Sequence, residues 1–176
     1  MKRPDVSAPR HDDVAVAAGR AAFETFYDAE FDPMVRVAFL IVGSTETAEE
    51  LVQDAFIRVH QRWCELDTPQ AYLRTAVVNG CRDRIRRRVR WRQRIPILAA
   101  EPNASAHSKH PEPSGERTDL VAALRTLPLR QRSALVLRFY GGFNEAEIAT
   151  TLGVQPGTVK SLIHRGLENL RTEIEP

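Results

Sequence analysis

The stretch EAEIATTLGVQPGTVKSLIHRG, residues 145 to 166, constrains the fold more than any other part of the chain. It contains two segments with helical spacing, separated by a Gly, a Pro and another Gly. Gly153, the first of the two glycines, permits the left-handed backbone that an abrupt corner requires. The small Ala149 lets two helices cross closely. Asn144 and Glu147 resemble a capping box at the start of the first helix.

Residue spacing within this stretch predicts a helix-turn-helix. Gly153 falls four residues after Ala149, at the turn, and Val159 falls ten residues after it, on the inner face of the second helix. The remaining core positions are all apolar: Ile148, Leu152, Val154 and Leu162. An ordinary pair of glycine-linked helices is the alternative, but the agreement of so many positions favours a DNA-binding motif.

The second helix of this motif has one apolar face and one polar face. The apolar stripe consists of Val159, Leu162, Ile163, Gly166, Leu167 and Leu170. Polar and basic side chains face outward or lie on the leading edge: Thr158, Lys160, Ser161, His164, Arg165 and Glu168. Such groups suit base edges and phosphates in a major groove, so the first five are candidate DNA contacts. Each could instead be solvated surface, which is the preferred interpretation for Glu168.

The rest of the chain also shows helical spacing and predicts an all-α fold of two small helical domains joined by a flexible linker. Residues 1–20 are polar and contain two prolines, which predicts a frayed tail. The first domain covers 21–95, with helix starts near Pro33 and at Thr68-Pro69. Residues 96–117 contain four of the eleven prolines and form the linker, and the second domain covers 118–176.

Charge and motifs argue for binding rather than catalysis. The net charge is only +2, but residues 82–94 carry eight Arg and one Asp. Cys64 and Cys81 lack metal-ligand spacing, the five His form no metal-binding pattern, and no nucleotide-binding glycine loop occurs, so we expect no cofactor, no metal site and no enzymatic activity. The N-terminus has no signal peptide and no stretch is long enough to span a membrane, which predicts a cytoplasmic protein.

A second polar face is predicted on the helix that begins at Pro69. With Leu73, Ala76, Val77 and Gly80 as its buried stripe, four side chains project on the opposite side: Thr75, Asn79, Arg82 and Arg86. Arginines bind phosphates without specifying sequence, whereas Thr75 and Asn79 could read bases. Tyr72 and Trp91 could stack on unpaired bases or belong to the core.

An acidic helix provides a third surface. Its apolar stripe is Ala48, Leu51, Val52, Ala55, Phe56 and Val59. The far side carries Glu50, Gln53, Asp54 and Gln61, with Ile57 in its middle. An apolar side chain ringed by acids, on a protein that otherwise favours DNA, predicts a docking site for a basic protein partner, although single exposed apolar residues are common.

Three segments resemble a known family: AEELVQDAFIRVHQRW, PQAYLRTAVVNGCRDRIRR, and the 48-residue segment from LRTLPLRQ to GLENLR that contains the helix-turn-helix. They look like regions two and four of an extracytoplasmic-function sigma factor, the small class of bacterial sigma factors. The resemblance implies that the acidic helix binds the beta-prime coiled coil of core RNA polymerase. It also implies that the first domain opens the minus-ten promoter element and that the second reads the minus-thirty-five element. The loop CELDTPQ, which contains Asp67 and Thr68, would hold a flipped base, and an anti-sigma factor is a further implied partner.

The chain departs from the family pattern at two positions. The family often has Arg where this chain has Leu162, and the leucine lacks the phosphate contact that such an arginine could make. The family often has Ala where this chain has Gly166, and the glycine slightly weakens the helix. No third domain is expected after residue 176.

Linker length provides a physical check on the resemblance. Promoter elements nearly two duplex turns apart are separated by roughly 60 Å. A relaxed 22-residue coil averages only about 26 Å, although it reaches about 70 Å when fully extended. Polymerase would have to hold the linker stretched, so the free protein should bind promoters poorly.

The alternative is a stand-alone helix-turn-helix transcriptional regulator, whose first domain would dimerise or sense a ligand. A nuclease is a third possibility, but the carboxylate cluster that it would need beside a metal-ligand motif is missing from the sequence.

Overall fold

The computed structural model describes residues 11–94 and 115–174, with side chains for 18–91 and 119–173. Within these ranges the chain forms α-helices joined by short turns, and no strand occurs there. The all-α prediction is therefore confirmed. The predicted linker lies mostly outside the described residues.

The first helical unit consists of three helices packed pairwise: α1 (His11–Val42), α2 (Thr45–Gln61) and α3 (Pro69–Arg94). Its core contains most of the predicted apolar stripes of α2 and α3. The two helices approach closely at Gly80, where an added Cβ would lie 3.3 Å from Leu51 Cδ2. An aromatic cluster joins α1, α2 and the short turn Trp63–Glu65, with the Phe23 ring in contact with the rings of Phe56 and Trp63.

Two sequence expectations for α1 are wrong. The chain is helical from His11 onward, so the predicted tail over residues 1–20 extends too far. Pro33 lies inside α1 rather than near a helix start. A proline in a helix interior costs about 3 kcal/mol because it removes one backbone donor and crowds the preceding turn. Burial of Val35 and Ile41 on the following turns offsets this cost, since each aliphatic side chain contributes about 1.5–3 kcal/mol.

Local chemistry accounts for the boundaries of α2 and α3. Gly43 has φ +76° at the corner after α1, a conformation that favours glycine, and the Ser44 hydroxyl caps α2 by accepting from Thr47 N at 3.3 Å. The predicted start of α3 is confirmed: Pro69 is its first residue, and the Thr68 carbonyl accepts from Tyr72 N at 3.2 Å.

The second helical unit contains α4 (Gly115–Thr126), α5 (Leu129–Leu135), α6 (Glu145–Leu152) and α7 (Pro156–Ile174). Helix α5 continues as one π-helical turn, Val136–Tyr140, and ends at Gly141. Helix α4 begins at Gly115, two residues before the predicted end of the linker at residue 117.

The two helical units pack against each other, a contact that no sequence feature indicated. Helix α1 contacts α4, α5 and the π-helical turn, and α3 contacts α6. Buried residues from both units, among them Ile41 and Phe143, belong to one continuous core. The polar face of α3 therefore lies beside the helix-turn-helix.

Candidate nucleic-acid interface

The corner between α6 and α7 has the geometry of a helix-turn-helix. Asn144 Oδ1 accepts from Glu147 N at 3.0 Å, and Glu147 Oε2 accepts from Asn144 N at 2.7 Å. This reciprocal pair is the predicted capping box. Gly153 adopts the left-handed conformation with φ 63°, and its N–H donates to the Thr150 carbonyl at 3.2 Å. The predicted role of Gly153 is confirmed.

The core of the corner is nearly the predicted one. Ile148, Ala149, Leu152 and Val159 are buried, and Val154 and Leu162 are half-buried. Leu167 is the exception because 44% of it is exposed. At about 100° per residue it lies about 80° around α7 from Val159, at the edge of the stripe.

Gly166 occupies a close approach between α7 and α5. A Cβ at this position would lie 3.0 Å from Leu135 Cδ1 and 3.1 Å from Leu135 Cγ. The sequence suggested only a weaker helix here. Packing against Leu135 gives the glycine a further role, because it lets the recognition helix lie closer to α5.

All five candidate DNA contacts on α7 are exposed: Thr158, Lys160, Ser161, His164 and Arg165. Lys160 Nζ lies 3.8 Å from Glu145 Oε2, and His164 Nε2 lies 3.3 Å from Glu168 Oε1. Exposed pairs of this kind contribute about 0–1 kcal/mol, so phosphates or base edges could displace them at little cost. The face is available for a ligand.

Arg130 and Gln155 also belong to this surface, although sequence reasoning missed them. They line the groove at the α6–α7 corner together with Thr150, Gly153 and Thr158. The position of Gln155 directly before Pro156 was the available signal, since the N-terminal end of a recognition helix points toward the DNA. Arg130 comes from α5, and no spacing rule links it to α7.

The polar face of α3 is only partly free. Asn79 and Arg86 are exposed, Thr75 is half-buried, and Arg86 NH1 lies 3.9 Å from Asp83 Oδ1. The expectation that Arg82 projects into solvent is wrong, because α6 packs over it and leaves it 8% exposed.

The Arg82 guanidinium bonds to the second helical unit. Arg82 NH1 donates to the Leu152 carbonyl at 3.1 Å and to Asn79 Oδ1 at 3.4 Å. Burial lowers the pKa of Arg82, and the nearby charges of Arg86 and Arg130 add to this effect.

The loop before α3 exposes Asp67 and Thr68 beside a half-buried Tyr72. The Arg62 guanidinium lies over the Tyr72 ring, 5.3 Å from its centroid, and Arg62 Nε lies 3.3 Å from Glu65 Oε2. Hydrogen bonding to Tyr72, and then to Glu65, raises the pKa of Arg62. Sequence reasoning missed Arg62, because the loop that brings it over Tyr72 has no regular period.

Trp91 is 64% exposed, so the interpretation of Trp91 as a core residue is wrong. It lies near the end of α3 among the arginines of residues 82–94. An exposed aromatic ring among arginines is available for stacking.

The outer face of α2 carries the predicted acidic surface. Glu50, Gln53, Asp54 and Ile57 are all exposed, and Ile57 has an exposed fraction of 55%. Placing Ile57 in the core is thereby excluded. Glu50 Oε2 lies 3.5 Å from Arg84 NH2, an exposed pair that neutralises only part of the surface.

Two negative observations apply to the described residues alone. No helix among them is both long and apolar enough to cross a bilayer. Within the same ranges, no group of three His, Cys, Asp or Glu side chains could hold a metal ion.

Comparison with protein families gives two matches on this chain. Residues 26–91 match the family described as Sigma-70 region 2, and residues 117–170 match the family described as Sigma-70, region 4. The two matches correspond to the two helical units.

Curated relatives match over most of the chain. The RNA polymerase sigma-E factor of Streptomyces avermitilis is 33% identical over 159 residues, which cover 87% of this chain and 85% of the relative. The ECF RNA polymerase sigma factor SigL of Mycobacterium tuberculosis is 30% identical over 168 residues, covering 92% and 93%.

Solved structures share the fold. The sigma factor RpoE, in complex with the anti-sigma factor NepR from Bartonella quintana, matches with a TM-score of 0.68 and 23% identity over 88% of this chain and 97% of that one. CnrH, in complex with the cytosolic domain of CnrY, matches with a TM-score of 0.66 and 20% identity, covering 92% and 94%.

Proposed function

Since the chain belongs to the sigma-70 family, as an RNA polymerase sigma factor of the extracytoplasmic-function class, we propose how its two helical units divide promoter recognition. The first unit, α1 to α3, is called region 2 below, and the second, α4 to α7, is called region 4. Region 4 reads the minus-thirty-five element. Region 2 binds core polymerase and opens the minus-ten element.

One observation carries the region 4 assignment: five side chains able to contact DNA are exposed together on one face of a capped helix-turn-helix. Ser161 and His164 offer donors and acceptors to base edges, and Arg165 can donate two parallel hydrogen bonds to a guanine. Thr158 and Lys160, on the leading edge, suit phosphates. Arg130 and Gln155 extend the same surface at the corner.

For region 2 we assign the minus-ten element to the face of α3 and the loop before it. Asn79 and Thr75 read bases, Arg86 binds phosphate, and Asp67 and Thr68 hold a base that has left the duplex. Tyr72 stacks on an unpaired base, with Arg62 at the edge of the same site. Arg82 joins this surface only when it leaves the Leu152 carbonyl.

The acidic face of α2 is assigned to core polymerase. Glu50, Gln53 and Asp54 provide negative charge around the exposed Ile57, the pattern that a basic partner with an apolar anchor position would fit. From the family resemblance we propose the beta-prime coiled coil of core polymerase as this partner.

Other properties follow from the same proposal. The protein works in the cytoplasm, where polymerase acts, and it binds rather than catalyses. An anti-sigma factor, as named for the Bartonella structure, is the expected inhibitor.

A promoter selection tests the proposed function. Core polymerase and the purified protein are incubated with a library that is randomised at both elements, and the transcripts are sequenced. We expect initiation from a defined pair of elements that core polymerase alone does not use. Recovery of no element above the background of core polymerase would refute the proposal.

Promoter binding by the free protein, without polymerase, distinguishes a sigma factor from a stand-alone regulator. On a selected promoter without polymerase it should bind weakly, with affinity falling steeply as salt rises, because its phosphate contacts release counterions. Tight, sequence-specific binding by the free protein at physiological salt would favour the regulator instead.

A further inference from the structure

The turn after α2 places an arginine over the aromatic ring of the proposed base site. Arg62 is the capping residue at the C-terminal end of α2, and Tyr72 lies in the first turn of α3. The guanidinium carbon Cζ of Arg62 lies 5.3 Å from the centroid of the Tyr72 ring. At this distance the electron-rich face of the ring attracts the cation.

The main chain of Arg62 is held on both sides. Its N–H donates to the Val59 carbonyl at 3.1 Å, and its carbonyl accepts from Glu65 N at 2.8 Å. The next residue, Trp63, packs its ring against that of Phe23, with 5.1 Å between the centroids. The Cα of Arg62 is therefore fixed, while the long side chain that extends from it can move.

The guanidinium is only weakly restrained. Arg62 Nε lies 3.3 Å from Glu65 Oε2, and the two side chains are 52% and 68% exposed. Exposed ion pairs of this kind contribute little to stability. The Tyr72 ring, in contrast, is half-buried and packs against the core. The contact thus consists of a fixed ring and a movable guanidinium.

The space between these two groups is too narrow for a base, but it can widen. Carbon atoms in contact are about 3.5–4.0 Å apart, so a base held between the ring and the guanidinium needs about 7–8 Å. The distance of 5.3 Å would have to grow by about 2–3 Å. Rotation about the side-chain bonds of Arg62 provides this movement without a change in the main chain.

Both groups are able to bind a face of the same base. Aromatic side chains stack on the faces of unpaired bases, and arginine adds a cation–π interaction. The guanidinium is planar and stacks on aromatic faces, whereas the ammonium group of lysine is a compact charge without such a plane. The chemistry of the pair therefore fits a flat aromatic ligand held between two stacking partners.

We propose that the unpaired base enters between Tyr72 and Arg62, so that Arg62 forms the outer wall of the base site. This inference rests on the proposed function, which places a base of the minus-ten strand on Tyr72. Without DNA the guanidinium lies on the ring and keeps the site arranged for stacking. With DNA it moves outward and covers the second face of the base. Arg62 is thus a base-binding residue rather than a phosphate contact.

The test measures how tightly core polymerase with this protein binds a fork template of a selected promoter, in which the minus-ten strand is unpaired. A single abasic site is moved through each position of that strand. At the position that stacks on Tyr72, the abasic site should weaken binding of the wild-type protein by about tenfold. The same abasic site should cost nothing in the Tyr72→Ala variant, which identifies the position.

The Arg62 variants are then compared on the intact strand and on the strand that is abasic at this position. Arg62→Ala should weaken binding to the intact strand about two- to fivefold, the range of a cation–π contact at an exposed site. On the abasic strand it should bind as the wild type does. Arg62→Lys should recover only part of the loss, because it restores the charge without the plane. The control Arg58→Ala removes an exposed positive charge one turn earlier on α2 and should have no effect on either strand.

Salt dependence separates stacking from phosphate binding. A side chain that stacks on a base releases no counterion from the strand, so Arg62→Ala should leave the slope of log K against log salt unchanged. Loss of a phosphate contact would reduce that slope by about one. Circular dichroism checks that each variant is folded.

Four results would overturn the role of Arg62: intact-strand binding by Arg62→Ala that equals the wild type, a loss that persists on the abasic strand, full recovery by Arg62→Lys, or a reduced salt slope. Each of them leaves the assignment of Tyr72 to a minus-ten base in place. That assignment fails separately if no abasic position both weakens the wild type and becomes neutral in Tyr72→Ala, and the inference about Arg62 then fails with it.

Discussion

Substitution of Ile57 by Asp separates a docking residue from a core residue. The side chain lies in the middle of the acidic face of α2, with 55% of its surface exposed. Because it contributes little to the core, the free energy of unfolding should change by no more than about 0.5 kcal/mol. Thermal melting of the variant should therefore resemble that of the wild type.

The same substitution should weaken binding to core polymerase strongly. Full burial of an isoleucine is worth about 1.5–3 kcal/mol, so covering the exposed half contributes roughly 1–1.5 kcal/mol. Burying a carboxylate in an apolar contact costs about 2 kcal/mol more. The sum of about 3 kcal/mol corresponds to a roughly hundredfold rise in Kd.

Two control variants frame this experiment. Val59→Asp changes a fully buried position two residues further along α2 and should unfold region 2. Ala22→Asp adds the same charge at an exposed position on α1 and should leave both melting and affinity unchanged. A quantitative pull-down with core polymerase reports the affinity. If Ile57→Asp melts normally and binds normally, the acidic face does not dock polymerase there.

Three further outcomes are expected. Arg165→Ala should reduce transcription from a selected promoter by the equivalent of about 1–3 kcal/mol. The control Arg171→Ala, at the far end of α7, should reduce it much less. Equal effects would show that the DNA-binding face of α7 is misassigned. Gly166→Ala should lower the free energy of unfolding of region 4 by about 1 kcal/mol. The added Cβ would lie 3.0 Å from Leu135 Cδ1, and this crowding costs about 1–3 kcal/mol, which exceeds the gain of about 1 kcal/mol in helix propensity. An unchanged or higher Tm would mean that Leu135 moves aside freely. At pH 8 a maleimide should label the exposed Cys64 quickly and Cys81 only after unfolding. Burial raises the pKa of Cys81 to about 12 and keeps it a neutral thiol. Mass spectrometry that found both cysteines labelled in the folded protein would contradict the burial of Cys81.

Local patterns predicted the parts of this protein that local chemistry determines. The capping box of Asn144 and Glu147, the left-handed Gly153 and the exposure of Ile57 follow from spacing along one helix or one turn. The start of α3 at Pro69 has the same origin. Each depends on residues within about ten positions of one another.

Tertiary packing determines the parts that the sequence left open. Arg82 has the spacing of an exposed residue, and only the approach of α6 buries it. Pro33 has the character of a helix breaker, and buried neighbours on the following turns of α1 override that character. The crowding at Gly166 depends on Leu135, which is 31 residues away in the chain. No periodicity reports contacts of this range.

Permanganate footprinting on a selected promoter tests the central claim most directly, because it detects unpaired thymines in the minus-ten element. With core polymerase and the wild-type protein together, these thymines should react, and with either one alone they should not. Asn79→Ala combined with Arg82→Ala should keep polymerase binding and lose the reactivity. Unchanged reactivity in this double variant, or opening by polymerase alone, would contradict the assignment of the α3 face to promoter opening.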